Sequence, residues 1–265
     1  MFYSKLLQKK DLKFCIKIVL LDKFKCMLFF KKKIIPLEHF FPEGFVDIHS
    51  HLLPGIDDGA KDLAESIALI KKMHSYGIKN FVTTPHVLGD VYPNTTAIIN
   101  EKLSEVQTEL KKQNLNDIQF SAAAEYMLDE QFSERLKNKD ILTLKDNLIL
   151  VEMSYFNAPF NLYDVLFEIQ LKNYKPILAH EERYNFYHKE FKNYYKIKKA
   201  GCLFQLNLLS LTSYYGSGVK KTALKLLDNN MYDFVGTDTH HEHHLELLNE
   251  VGTQKNLKRI KQLLE

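Results

Sequence analysis

The chain reads as an α/β fold in which seven short strands, each followed by a helix, curl into one closed or nearly closed barrel. From residue 44 onward, short runs rich in Val, Ile and Phe alternate with amphipathic stretches, the pattern of repeated βα units. No internal repeat, low-complexity tract or long Pro/Gly/Ser linker divides residues 44–265, and 265 residues suit one barrel-sized domain. An open doubly wound sheet is the alternative architecture.

In chain order, strands are predicted at Phe45–Ile48, Asn80–Thr84, Ile118–Ala124, Leu148–Glu152, Pro176–Ala179, Leu203–Asn207 and Asp233–Thr237. Caps and stops mark the helices between them. One runs from Asp62 to Tyr76 and stops at Gly77, Asn94 caps a segment reaching Lys112, and Asn161 caps one reaching Tyr174. Gly218 to Asn229 and Leu245 to Leu264 also carry a helical period.

Hydrophobic residues at 45% and charged residues at 26% are ordinary for a globular protein. The net charge of +3 is uneven, because ten Lys against Asp11, Asp22 and Glu38 give residues 1–40 a balance of +7 and leave −4 for the rest. A basic arm on a mildly acidic body is not the footprint of a nucleic-acid-binding domain. Residues 1–43 are therefore expected to be a basic extension without fixed structure ahead of a 44–265 barrel domain. Residues 1–26 show no clean period and are expected to lie outside the folded unit, with Met27 opening the stretch that leads into the first strand. The arm suits weak peripheral contact with anionic lipid. Cys15, Cys26 and Cys202 are isolated, and Phe14 to Leu21 is too short and too interrupted by Lys17 to span a membrane. A cytoplasmic protein, at most touching the inner face of the membrane, is expected.

The chemistry-capable residues fall just past the strands: His49 and His51 after the first, His86 after the second, Glu125 after the third, His180 after the fifth, Asp238 and His240 after the seventh. In parallel β/α folds that rim is where active sites assemble. In Asp47-Ile48-His49-Ser50-His51 an extended backbone aims Asp47, His49 and His51 to one side, so two imidazoles share a target, or Asp47 orients a ligating ring from behind. A lone His-x-His at a strand end is more often a hydrogen-bonded structural pair, and the coincidence of five strand ends outweighs that reading. His39, His74 and His188 read as solvated surface. Of the run His240-His241-Glu242-His243-His244, His240 alone is the expected site residue, since His243 and His244 lead into a helix. A His, Asp and Glu site without Cys suits manganese, iron or zinc.

Together, His49-Ser-His51-Leu-Leu-Pro-Gly-Ile-Asp57-Asp58-Gly59, Thr-Pro-His86, Ala-Glu125-Tyr, Ala-His180-Glu-Glu-Arg183-Tyr and Gly-Thr-Asp238-Thr-His240 resemble the polymerase and histidinol phosphatase (PHP) superfamily. The likeness is to its bacterial manganese-dependent protein-tyrosine phosphatases of capsule and exopolysaccharide clusters, over about residues 44–245. The resemblance implies a distorted (β/α)7 barrel of the PHP type and a centre of up to three divalent metal ions. It implies as substrate the phosphotyrosine tail of a bacterial tyrosine kinase that governs polysaccharide export. By motif position His49, His51, Glu125 and Asp238 hold one metal, Glu125 bridges to a second shared with His180, and Asp58, His86 and His240 form the third. The family's usual Ala-His-Pro-Glu-Arg-Tyr departs here, with Glu181 in place of Pro.

Arg183 suits the substrate phosphate, because a guanidinium presents a planar fork to two oxygens and the chain has only three Arg beside 33 Lys. The competing assignment is a salt bridge to Glu181 or Glu182. His240 or Asp238 is a source for a leaving-group proton, and Tyr214 and Tyr215 either contact an aromatic substrate or pack the rim. Three rival functions use the same residues: a phosphatase for a small metabolite such as histidinol phosphate, a metal-stabilised binding module of the export machinery, and a polymerase-associated proofreading domain, which the acidic body disfavours.

Overall fold

Every one of the seven strand regions forms parallel strand in the computed structural model, which describes residues 34–265. They are β1 (Val46–Asp47), β2 (Asn80–Thr83), β3 (His86–Val87), β4 (Gln119–Ala122), β5 (Glu125–Met127), β6 (Leu148–Glu152), β7 (Lys175–Ala179), β8 (Leu203–Asn207) and β9 (Phe234–Gly236). The second and third regions are each broken in two. Pro85 cannot donate to a ladder, and its carbonyl instead accepts from Glu125 N at 3.0 Å while Ala123 N donates to Thr83 O at 2.9 Å. The pairing order is β1-β2-β4 below this kink and β3-β5-β6-β7-β8-β9 above it. Neighbours thus follow chain order, which excludes the doubly wound alternative.

Closure comes from the first and last strands. Asp238 N donates to His49 O at 2.7 Å, His51 N to Thr239 O at 2.8 Å, and Ser50 bridges Thr239 in parallel. Asp47 completes the seam, its two carboxylate oxygens accepting from the amide and the hydroxyl of Thr237, each at 2.8 Å. It therefore neither faces the ligand cluster nor orients a ring: it fastens the barrel. Burial pushes its carboxyl up to about 6, against the pull of these two bonds.

The alternation of strand side chains sets the layers inside the barrel. Leu150, Ile177 and Ala179 point inward and pack with Leu148, Leu203 and Phe234, filling the lower interior. One pleat further along the strands, the inward positions hold Glu152, Gln205 and Asn207, all buried.

The helices are α1 (Leu63–Ser75), α2 (Thr96–Lys112), α3 (Glu130–Asn138), α4 (Leu162–Leu171), α5 (Lys192–Lys199), α6 (Ser217–Asp228), α7 (Glu242–Val251) and α8 (Gln254–Leu264). Asp62 caps α1 through Glu65 N, as its position suggested. Thr95, not Asn94, caps α2 through Ile98 N, and the amide of Asn94 is spent on Ile56 O and His86 O, each at 2.8 Å. Asn161 precedes α4 without a side-chain cap bond. The expected helix from Leu245 to Leu264 is two, because the chain turns at Gly252 and Thr253 recaps through Asn256 N. Helices α3 and α5, short and strongly charged, were not foreseen.

The compact unit runs from Ile35 to Glu265, so the boundary lies ahead of residue 44. Leu37, Phe40 and Phe41 are buried in the main core, and Ile35 N donates to Gly252 O at 2.7 Å. Apolar residues so placed gain about 1.5–3 kcal/mol each by leaving water, which the charge of the segment hid. The expectations for residues 1–26, for Met27 and for lipid contact by the lysines of the basic arm fall outside the described residues. Among the described residues, no helix is long and apolar enough to cross a membrane.

Candidate active site

The strand ends deliver their polar residues to one point above the barrel's apolar floor. His49 Nε2 lies 3.2 Å from Glu125 Oε2 and 3.3 Å from Asp238 Oδ1, and His51 Nε2 lies 3.5 and 3.4 Å from the same atoms. His180 Nε2 faces Glu125 Oε1 at 3.0 Å. His86 Nδ1 lies 3.2 Å from Glu125 and 2.9 Å from Glu152, while its Nε2 and that of His240 each lie 3.5 Å from Asp58 Oδ1. All eight residues expected as ligands are thereby brought together, and Glu152 joins them.

These atoms converge without bonding one another well. Both oxygens of Glu125, Glu152 Oε1 and the Nδ1 atoms of His86 and His180 are buried without an aligned hydrogen bond. Buried polar groups are normally satisfied, so donors that approach a shared point and remain unsatisfied fit a set of cations. Four groups of ligand atoms lie within 4.8 Å of each other: His51, Asp58, His86 and His240; His49, His180 and Asp238; His49, His51 and Glu125; His86, Glu125 and Glu152.

A second tier fixes the rings. His49 Nδ1 pairs with Gln205 Oε1 and His51 Nδ1 with Asp57 Oδ2, both at 2.8 Å, which leaves each Nε2 for the cluster. Asp57 also accepts from Gly59 N and His86 N, so one carboxylate ties three segments. Gly59 has no side chain for a plain reason: a Cβ there would lie 2.1 Å from His51 O. His180 and Asp238 both adopt left-handed backbone, φ 37° and 52°, the kind of strain that collects at working sites.

The electrostatics are those of buried carboxylates and imidazoles packed against one another. Burial alone would raise Glu125 and Asp238, but the surrounding histidines, with Arg183 for Asp238, hold both well below the usual carboxylate range. Burial and the neighbouring His51 push His240 well below 6.5. The neighbouring carboxylates raise His49 and His51 instead, and bring His86 up to about 9.

Arg183 does not pair with Glu181 or Glu182. Its Nη1 donates to Asp238 Oδ2 at 2.9 Å, and its guanidinium lies between the rings of Tyr155 and Tyr215, 4.7 and 4.1 Å from their centroids. Glu182 accepts from Asn207 N and the Tyr232 hydroxyl, and Asn207 Nδ2 in turn donates to Asp238 Oδ2 at 2.6 Å. Glu181 is fully buried, its carboxyl pushed up by burial and by Glu182. The face of Tyr215 nearest the site is occupied by Arg183, and its hydroxyl takes a bond from Asn207. The Tyr214 hydroxyl meets His244 Nε2 at 3.1 Å. Tyr155, Arg183, Tyr214, Tyr215 and Asp238 border a cleft of about 270 Å³, which His241 and His244 also line. His240 is therefore not alone of its run at the site, although it alone sits in a ligand group. His188, taken for solvated surface, is tethered to Glu182 O at 2.7 Å, and His74 to Asp117 at 3.0 Å.

Sequence reasoning passed over Asp57, Glu152, Tyr155, Gln205 and Asn207. For three of them a signal existed: polar residues at inward positions of β6 and β8, in step with the strand period. Nothing comparable marked Tyr155.

Comparison with known proteins gives one answer. A family profile described as capsular polysaccharide synthesis, CpsB/CapC, matches residues 45–247. CapC of Staphylococcus aureus is 32% identical over 198 residues, 74% of this chain and 76% of that protein. The tyrosine-protein phosphatase YwqE of Bacillus subtilis is 30% identical, covering 74% of this chain and 77% of its own length. A crystal structure from a study of YwqE and of CpsB from Streptococcus pneumoniae, described as metal-dependent tyrosine phosphatases, superposes with a TM-score of 0.72 at 28% identity, over 83% of this chain and 93% of that one. With a profile spanning the whole ring of strand ends, the chain belongs to the CpsB/CapC family of capsular polysaccharide synthesis.

Proposed function

We propose that the chain is a manganese-dependent protein-tyrosine phosphatase that removes phosphate from the phosphotyrosine tail of a bacterial tyrosine kinase controlling polysaccharide export. The observation that carries this reading is the convergence of His49, His51, His86, Glu125, His180, Asp238 and His240 on shared points beside an arginine fork. The family's named tyrosine phosphatases support the reaction class. Asp58 and Glu152 complete the ligand set in this reading.

Divalent metal ions held there would supply Lewis acidity and an activated water at neutral pH. The protein's own work is to position. Asp238 and the two tyrosine rings lock the Arg183 guanidinium, so its remaining donors meet the phosphoryl oxygens without reorganising. Asp238 and His240 are the candidate donors of a leaving-group proton, and the reaction asks little of them. A departing tyrosine phenolate has a pKa of about 10, low enough to leave with little general-acid help. Tyr214 and Tyr155, both half-exposed at the cleft, are placed to meet the substrate ring.

The test sets kcat/KM for a phosphotyrosine peptide against that for histidinol phosphate. Preference for the peptide by tenfold or more is expected, and preference for the alkyl phosphate would replace this reading. The basic N-terminal run would add weak attraction to an anionic inner membrane face, about 1 kcal/mol per charge and sensitive to salt. Vesicle binding that ignores salt would contradict that part.

A further inference from the structure

Half of the large apolar side chains that are exposed among the described residues, six of twelve, fall between Tyr155 and Leu171. Tyr155 belongs to the cleft, but Phe160, Tyr163, Phe167 and Leu171 do not. Their spacing of three, four and four keeps one side of α4 and the turn before it, and they are 109%, 46%, 61% and 64% exposed. The opposite side of α4, Leu162, Val165, Leu166 and Ile169, is already buried against the barrel. The helix is apolar on both sides, whereas a surface helix needs only one apolar face.

We propose that this outer face of α4 pairs with the same face of a second copy of the chain, antiparallel about a two-fold axis near Phe167. Two observations select this occupant. The first is area: at about 200 Å² for an aromatic side chain, the four exposed residues present about 500 Å² of apolar surface, more than half of the about 800 Å² per partner in a stable interface and in the upper part of the about 300–600 Å² of a monomer's largest patch, which is often functional. The second is charge. The row beside the apolar stripe reads Asp164, Glu168, Lys172, all exposed, with the acid at the start of the helix and the base just past its end. Reversing one helix against its twin sets Asp164 beside the partner's Lys172 twice, once on each side of the axis, two attractive pairs against the one repulsion of Glu168 with its own copy at the axis. A two-fold contact requires such self-complementarity, and a chance apolar stripe does not supply it. The pairing also opposes the two helix dipoles. Phe160, at the start of the stripe, lies five residues past Tyr155, so the contact would run from the edge of each cleft down the outside of each barrel.

Sedimentation velocity of the full chain across micromolar concentrations tests this, alongside activity on a small aryl phosphate. The wild type should show a concentration-dependent dimer, and Phe167→Glu should weaken it by about a hundredfold, as loss of a central interface residue does, with melting temperature and aryl phosphatase activity unchanged. Asp164→Lys should weaken the dimer, and adding Lys172→Asp should restore it, a rescue that a change in folding cannot mimic. A wild type that stays monomeric, or a dimer indifferent to Phe167→Glu, overturns the proposal. So does a monomer whose Phe167→Glu form loses activity only on an intact phosphorylated protein, which would make α4 a docking face for substrate. The readout is mass, so failure here leaves the phosphatase reading untouched.

Discussion

At the scale of single residues, the site depends on how each side chain is held. Arg183→Lys keeps the charge but loses the fork, and lysine cannot stack flat between Tyr155 and Tyr215. Turnover should fall by roughly ten- to a thousandfold with metal content unchanged, measured as kcat beside a metal count. A rise in KM alone would mean that the arginine binds ground and transition states equally. Glu125→Ala should lose bound metal and activity together, because its two buried oxygens face four histidines. A variant with normal metal content and normal turnover would remove Glu125 from the centre. Asp57→Asn should lower metal affinity by about 10–100-fold in a competitive chelator titration, since it holds His51 in register without belonging to a ligand group. Much of the ligand set was legible in the sequence, because His, Asp and Glu at strand ends have few structural uses in such number. The supporting residues were not: Gln205 and Asn207 acquire their roles only when β1 and β9 close and bring His49 and Asp238 against β8.

At the scale of elements, the barrel closes where two short strands meet. β1 keeps two residues and β9 three, so little ladder is available, and Asp47 makes up the difference through Thr237. Asp47→Asn puts an amide group where the carboxylate accepts, and should cost about 1–3 kcal/mol, read as a lower denaturant midpoint with an unchanged slope. An unaltered midpoint would show that the remaining bridges suffice. Gly236 stands on the same seam, and a Cβ there would come within 2.6 Å of that of His49, so Gly236→Ala should disturb metal binding as well as stability. Strand positions were readable because their apolar runs are bounded by turn residues. The breaks at Thr84-Pro85 and Ala123-Ala124, the second start at Thr253 and the working role of Asn94 were not, because each is settled by contacts with distant segments.

At the scale of the whole molecule, seven strand regions, an apolar floor and a polar upper layer make one container for a cluster of donors too crowded to be stable as it stands. Glu125, Glu152, His86 and His180 keep buried atoms without a hydrogen-bond partner, and cations among them would satisfy those atoms. The sequence conveyed the container and its rim but placed the domain boundary too late, because the lysines just ahead of Leu37, Phe40 and Phe41 mask residues that the core takes up. The central claim is that the cluster holds metal and that the metal is required for phosphate release. The direct measurement is hydrolysis of a phosphotyrosine peptide by protein stripped with a chelator and then given manganese, zinc or iron, with bound metal counted in the same samples. Stripped protein should be inactive, and activity should return with manganese as the count rises towards the three ions per chain that the resemblance implies. Full turnover in protein that holds no metal would contradict the account.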